Sequence, residues 1–385
     1  MEFAFTEEQE MIRDTAAAFL AEVSDSESVR RAMITEQGFE IEVWRRITTE
    51  MYWQAIHIPE QYGGMGLGYV ELVAMLEEMG RHLLCSPFFS TVCLGANSLL
   101  VAGTEEQKTK YLPQIAEGIL TATLAYTGCN GKWDEEAVEA TYSTTDMGFV
   151  LNGTLRYIPD GHTADLLIIA AREEGSSGKQ GISLFVVPAS TSGVKCQWLP
   201  TMDQTRKQAE ITLVDVSLAS DALMGDETNA WQNLEKIIGL ANVAVAAEQM
   251  GGAQQALELT VEYTKERVQF NRTVASFQAV KHKAADMMLK AEVAKSAVYY
   301  AACVAQEVLA GGPLADELNE ASSIAKAYCS DAYFFNAGCG IQLFGGVGFT
   351  WEYDIQLYFK RAKSSETYLG NAAYHRERVA QIILD

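Results

Sequence analysis

Positive charge is scarce in this sequence. Lysine and arginine total 29 against 51 aspartates and glutamates, a formal net charge of −22 over 385 residues. A polyanion of that size is repelled by DNA, RNA and anionic membrane surfaces, which excludes those partners. A small phosphorylated ligand remains possible where a local basic cluster receives it, and Lys281-His282-Lys283 and Lys360-Arg361 are such clusters. The most apolar long stretch, Ile237 to Leu257, carries Asn242, Glu248 and several glutamines and glycines, so it reads as a buried helix and not a membrane span. The acidic start, Met1-Glu2-Phe3-Ala4-Phe5-Thr6-Glu7-Glu8, has neither a basic-then-apolar signal pattern nor Arg-rich transit character. A soluble, cytoplasmic protein is expected.

Disulfide and metal chemistry also lack a pattern. The seven cysteines (Cys85, Cys93, Cys129, Cys196, Cys303, Cys329, Cys339) are odd in number, irregularly spaced and never paired as Cys-x-x-Cys. Buried free thiols in a reducing compartment fit better than a disulfide framework or a zinc site. The five histidines show no ligand spacing, and there are no internal repeats or low-complexity tracts.

What is present is an ordinary globular composition, 48% hydrophobic and 21% charged, on a chain long enough for two or three packed units. Residues 1 to about 115 follow helical spacing. Thr6-Glu7-Glu8-Gln9 fits a capping box, Pro59 and Gly63-Gly64-Met65-Gly66 mark a loop, and Gly103-Thr104-Glu105-Glu106-Gln107 reads as a helix stop and a new start. Near residue 120 the pattern turns to strands. Phe149 to Tyr157 reads as a hairpin about Asn152-Gly153, and Asp165 to Ala171, Ile182 to Pro188 and Glu210 to Leu218 have strand length and composition. Helical spacing then returns over about 230–266, 276–310, 314–340 and 352–385. The expected class is α+β: an N-terminal helical domain (1–116), a middle β-barrel domain (117–228) and a C-terminal four-helix bundle (229–385).

Several segments, in order, carry a resemblance. They are Pro59-Glu60-Gln61-Tyr62-Gly63-Gly64-Met65-Gly66; Gly103-Thr104-Glu105-Glu106-Gln107-Lys108 with Tyr111-Leu112-Pro113; Glu266-Arg267-Val268-Gln269-Phe270; Phe277-Gln278; and Gln342-Leu343-Phe344-Gly345-Gly346-Val347-Gly348-Phe349. On this helix–strand–helix layout the chain resembles the acyl-CoA dehydrogenase family from end to end. The resemblance implies FAD held at subunit interfaces of a dimer or tetramer. It implies α,β-desaturation of an acyl-CoA thioester, with electron-transfer flavoprotein as acceptor, in fatty acid or steroid side-chain breakdown. It also implies that Arg267 reaches the FAD pyrophosphate, that Phe270 packs on the cofactor, and that Gln278, Gln342, Gly345 and Gly346 lie along the flavin nucleotide.

The chain departs from the family at two places. Where members carry Thr-Glu-Pro-x-x-Gly-Ser-Asp, this sequence reads Tyr126-Thr127-Gly128-Cys129-Asn130-Gly131-Lys132-Trp133, and the usual Trp-Ile-Thr beside the flavin ring is Tyr157-Ile158-Pro159. Pro159 has no N–H and no hydroxyl to offer flavin N5, whereas Tyr157 retains a face for stacking. The family's catalytic Glu-Gly is Leu369-Gly370 here, and its second known location reads Ala241-Asn242. Glu248 is the candidate base. It is the only charge between Lys236 and Glu258, it follows Ala241 by two helical turns, and its apolar setting predicts a desolvated, more basic carboxylate. Some bacterial members acting on bulky or steroid side-chain substrates resemble its Ala246-Ala247-Glu248-Gln249 pattern. A glutamate merely hydrogen-bonded at a subunit interface is the alternative. Glu366 is a second candidate, amid Lys363, Ser364 and Ser365. Two functions stay open: an active FAD-dependent acyl-CoA dehydrogenase, or a subunit that completes the flavin site of a heteromeric one. Oxidase chemistry on the same fold is a third option.

Overall fold

A computed structural model of the chain describes residues 6–226 and 228–384. Its α-helices are α1 (Glu7–Val23), α2 (Ser26–Met33), α3 (Ile41–Arg46), α4 (Tyr69–Arg81), α5 (Asn97–Ala102), α6 (Glu105–Ala116), α7 (Ala230–Glu266), α8 (Gln278–Ala310), α9 (Leu318–Phe344), α10 (Ile355–Thr367) and α11 (Ala372–Leu384). The strands are β1 (Ala122–Ala125), β2 (Thr141–Thr145), β3 (Gly148–Pro159), β4 (Leu166–Glu173), β5 (Ile182–Pro188), β6 (Val194–Leu199), β7 (Gln208–Leu218), β8 (Val268–Gln269) and β9 (Arg272–Thr273). They form two compact units: one of residues up to 30, 69–84 and from 242 on, the other of residues 31–68 and 85–241.

In the first unit α9 is the central helix, packed by α8, α10 and α11, while α1 and α8 pack on α4. The capping box at Thr6 forms as its spacing requires: the Gln9 amide donates to Thr6 Oγ1 at 3.3 Å and the Thr6 amide to Gln9 Oε1 at 3.0 Å. Helix α4 lies backbone to backbone on α7. A Cβ added to Gly80 would sit 2.1 Å from the Glu248 carbonyl oxygen, and one added to Gly251 would sit 1.8 Å from that of Glu77. Only glycine permits this approach. Polar groups reinforce it. The Tyr299 hydroxyl donates to Glu77 at 2.9 Å, and Arg81 pairs with Glu258 at 2.6 Å and with Glu78 at 3.3 Å. Burial, opposed by the Arg81 guanidinium, pushes the Glu78 carboxyl up to about 7.

The second unit holds a seven-stranded sheet in the order β1-β4-β2-β3-β7-β6, with β5 also paired to β4. It curls around one apolar cluster that includes Leu151, Leu155, Leu167, Ile169, Phe185, Ile211 and Val216. Tyr142, Phe149 and Phe185 meet edge-on inside it, with centroids 5.1–5.8 Å apart. Here α6 begins with a second capping box, Thr104 to Gln107.

Two local expectations are corrected. Asn152-Gly153 does not turn a hairpin; β3 runs unbroken from Gly148 to Pro159 and pairs with β7 through a register shift between Leu151 and Gly153. Gly153 uses its freedom at φ +140° to bulge beside Ala140, and the hairpin turn lies at Asp146-Met147, between β2 and β3. The expected helix over 352–385 is two helices, parted at a turn where Leu369 takes φ +59° and Gly370 φ +99°. The cysteines are free, as expected, but only Cys85, Cys93, Cys329 and Cys339 are buried; Cys129 is exposed. No described helix is long and apolar enough to cross a membrane.

Candidate active site

Glu248 lies on α7 at 8% exposure, within a helix segment whose neighbours Ala244, Ala247 and Gln249 are buried. The small residues that follow it serve close packing. Gly251 is filled by the α4 backbone, and a Cβ on Gly252 would meet the Tyr333 ring at 2.4 Å. Ala241 and Leu369, at the two positions where relatives carry the base, are both buried and unable to take a proton. Glu366 forms an ion pair with Lys363 at 2.9 Å, which commits its carboxylate to a partner.

The residues expected along a flavin nucleotide collect at the far end of α7. The Arg267 amide continues the helix by donating to the Tyr263 carbonyl, and β8 and β9 then form a short hairpin. Its two turn residues, Phe270 and Asn271, take φ +54° and +62°. Such a turn favours asparagine and glycine, so a phenylalanine there is strained, and its ring is 87% exposed. Phe270 meets Phe277 edge-on at 6.2 Å, and Gln278 opens α8 directly after it. At the end of α9, Phe344 stacks on Tyr263 at 4.0 Å, which brings Gln342, Gly345 and Gly346 beside the last turns of α7. Gly345 takes φ +69°, ψ −147°, a conformation open essentially to glycine alone. Nothing lies within 4 Å of a Cβ built on Gly345 or Gly346, so their backbone is open to a ligand. An exposed guanidinium, an aromatic ring on a strained turn and bare backbone fit a nucleotide carrying phosphate and aromatic rings.

The β half of the expected site lies in the second unit. Tyr157 takes φ +63° in β3 and is 40% exposed, with its ring held out by the irregularity between Leu155 and Ile158. The Pro159 carbonyl accepts from Thr123 Oγ1 at 2.8 Å. Thr127 Oγ1 donates to the Arg156 carbonyl at 2.6 Å, and the Cys129 and Asn130 amides both donate to the Glu139 carboxylate. The Thr127 hydroxyl and the Cys129 and Asn130 amides are therefore engaged inside the unit. Sequence reasoning missed Glu139, which lies outside the motif, and it missed the buried Lys326 and His375.

Three family models cover the chain: the acyl-CoA dehydrogenase N-terminal domain over 6–119, the middle domain over 123–216 and the C-terminal domain over 231–384. Acyl-CoA dehydrogenase IpdE2 of Mycolicibacterium smegmatis is 31% identical over 95% of this chain and 95% of its own length. The chain belongs to the acyl-CoA dehydrogenase family. Butyryl-CoA dehydrogenase of Megasphaera elsdenii superposes over 100% of both chains with a TM-score of 0.92 at 27% identity. A chain of the ChsE4–ChsE5 complex of Mycobacterium tuberculosis does so over 100% of this chain and 99% of its own, with a TM-score of 0.88 at 25% identity. The protein is thus an FAD-dependent acyl-CoA dehydrogenase, an oxidoreductase acting on CH–CH groups.

Proposed function

We propose that Glu248 is the catalytic base and that this chain builds its flavin site together with a second chain of the same fold. The observation that carries the second part is a distance. Arg267 follows Glu248 by nineteen residues along α7, about 28 Å at the helical rise. Base and nucleotide contacts of one chain are too far apart to be one catalytic cluster, so each serves a site completed from elsewhere. Apolar side chains left exposed in the first unit, among them Met288, Leu289 and Val293 on α8 and Phe349 and Trp351 after α9, support an oligomer, dimeric or tetrameric. The internal bonds of Thr127 Oγ1 and of the Cys129 and Asn130 amides favour a hetero-oligomer, in which the partner supplies flavin hydrogen-bond donors that this loop does not.

In this reading Arg267, Phe270, Gln278, Gln342, Gly345 and Gly346 hold the flavin nucleotide, and Tyr157 stacks on the ring system. The flavin, when bound, takes up the hydride from the substrate's β-carbon. Glu248 removes the α-proton, which the thioester carbonyl has made acidic, and its burial keeps water from competing for that proton. The substrate is an acyl-CoA of fatty acid or steroid side-chain type, supported by the Ala246-Ala247-Glu248-Gln249 pattern. Electron-transfer flavoprotein is the acceptor and the cytoplasm the site of action. The domains divide at about 116 and 228, as the helix–strand–helix order suggests.

The test starts from the chain purified alone and then with a candidate partner chain. Stoichiometric flavin that is bleached anaerobically by an acyl-CoA only after the partner is added supports the reading; full flavin and turnover in the lone chain as a homo-oligomer removes the hetero-oligomer. Glu248→Gln, which preserves shape, is expected to lower kcat by about 10³-fold with flavin retained. Undiminished turnover in that variant disproves the base assignment.

A further inference from the structure

The turn between α10 and α11 is held by buried basic residues that the proposed chemistry does not use. Leu369 is 1% exposed and left-handed, a conformation that persists only where the surroundings over-determine it. Three carbonyls of this turn are fixed from α9 and α11. Lys326 Nζ donates to Glu366 O at 3.1 Å and to Gly370 O at 2.9 Å, and His375 Nε2 donates to Leu369 O at 2.9 Å. Both basic side chains are fully buried. Burial pushes the Lys326 ammonium down to about 7, with Cys329 and Glu366 opposing.

The lysine does not stop at the turn. Its remaining hydrogen bond goes to Ser330 Oγ at 3.1 Å. That hydroxyl lies 3.3 Å from Gln249 Oε1 and donates to it, while Gln249 Nε2 donates to Ser365 Oγ at 3.2 Å. Ser365 in turn donates to the Ala362 carbonyl at 3.2 Å. Gln249 Nε2 also donates to Ser330 Oγ at 3.1 Å, so the bonds link Lys326 on α9 to α7 and on to α10. Gln249, Ser330 and Ser365 are all buried, so none of these bonds is exchanged for water at little cost.

We propose that Lys326 is a positioning residue for the catalytic carboxylate: through Ser330 and Gln249 it ties the turn at Leu369-Gly370 to the stretch of α7 that carries Glu248. The proposal rests on Glu248 being the base. Gln249 is the next residue, and its amide, clamped between serines of α9 and α10, fixes the rotation and height of α7 at that point. Proton abstraction is sensitive to sub-ångström placement of the base, so loosening this clamp acts on the chemical step more than on substrate binding. The turn that holds the base in other family members thus still serves the reaction here, as an anchor for a base on another helix.

A double-mutant cycle on the assembled holoenzyme tests this, reading kcat and KM for an acyl-CoA that bleaches the flavin. Lys326→Met and Gln249→Leu are each expected to lower kcat about tenfold with KM changed less than about twofold, and the double variant to be no slower than either. Multiplicative losses, about a hundredfold in the double variant, would mean that the lysine only caps the turn, and they overturn the proposal. So does a Lys326→Met effect confined to KM. Where Lys326→Met does not fold, Ser330→Ala decides, since it cuts the link and leaves the turn contacts in place: a tenfold fall in kcat supports the proposal and wild-type kcat overturns it. Glu248→Gln separates the two readings. If that variant turns over normally, the base assignment itself fails; if it is inactive and the cycle is multiplicative, only the role of Lys326 fails.

Discussion

Replacing Gly251 with alanine tests the packing that sets α4 against the Glu248 segment of α7. The new Cβ would lie 1.8 Å from the Glu77 carbonyl oxygen, 2.8 Å from its carbon and 3.2 Å from the Arg81 nitrogen. All three are backbone atoms, so no rotamer change relieves the contact and α4 itself has to move. Alanine gains about 1 kcal/mol over glycine in a helix interior. Overpacking a well-filled site costs about 1–3 kcal/mol and sometimes more. Moving α4 also pulls Glu77 from the Tyr299 hydroxyl. The clash therefore wins, with a net loss of about 2 kcal/mol expected. Gly338, within α9, is the control, because a Cβ there meets only Phe359 at 3.9 Å, an ordinary contact. Gly338→Ala is expected to gain about 0.5–1 kcal/mol from helix propensity alone. Denaturant midpoints and thermal melts of the two variants, measured side by side with circular dichroism, supply the comparison. If Gly251→Ala is as stable as Gly338→Ala, α4 and α7 do not meet backbone to backbone, and close packing is not the reason glycines follow Glu248.

Other expectations follow from single groups. Glu78 has its carboxyl raised to about 7, so the fold favours its neutral form, and stability from this group is present below its ordinary pKa and lost as pH rises through 7. Glu78→Gln should therefore melt higher than the wild type at pH 8, by up to about 3 kcal/mol in stability, with the difference shrinking toward pH 5; a pH-independent difference contradicts this. Arg267→Ala should lower flavin occupancy of the assembled protein, read from the ratio of visible to ultraviolet absorbance, while its melting temperature with flavin removed stays that of the wild type. Thr104→Ala removes the cap that holds the Gln107 amide at 3.2 Å and should cost about 1 kcal/mol, measured by denaturant midpoint.

What was legible in the sequence depended on how local the cause is. The capping box at Thr6 and the helix start at Thr104 need only three residues of spacing, and both form. Arg267, Phe270 and Gln278 came from the resemblance; a helix end, a hairpin and a helix start in direct succession set them near one another in the chain. Asn152-Gly153 misled because one dipeptide serves two geometries. A glycine at φ +140° makes a bulge when the strand beyond it has a partner, and β7 supplies that partner from some sixty residues away.

The break between α10 and α11 was invisible for a related reason. Nothing in Tyr368-Leu369-Gly370 forces a left-handed leucine; the force comes from Lys326 and His375, on two other helices. Lys326 also stands in a short uncharged run, between Glu320 and Asp331, with Ser322, Ser323, Ile324, Ala325, Ala327 and Cys329 about it. A buried charge needs either a chemical role or a full set of partners. Lys326 has the partners, three oxygens at 2.9–3.1 Å, and one of them leads to the residue beside Glu248. Lys326 is thus joined through one buried set of hydrogen bonds to Gln249, the neighbour of Glu248.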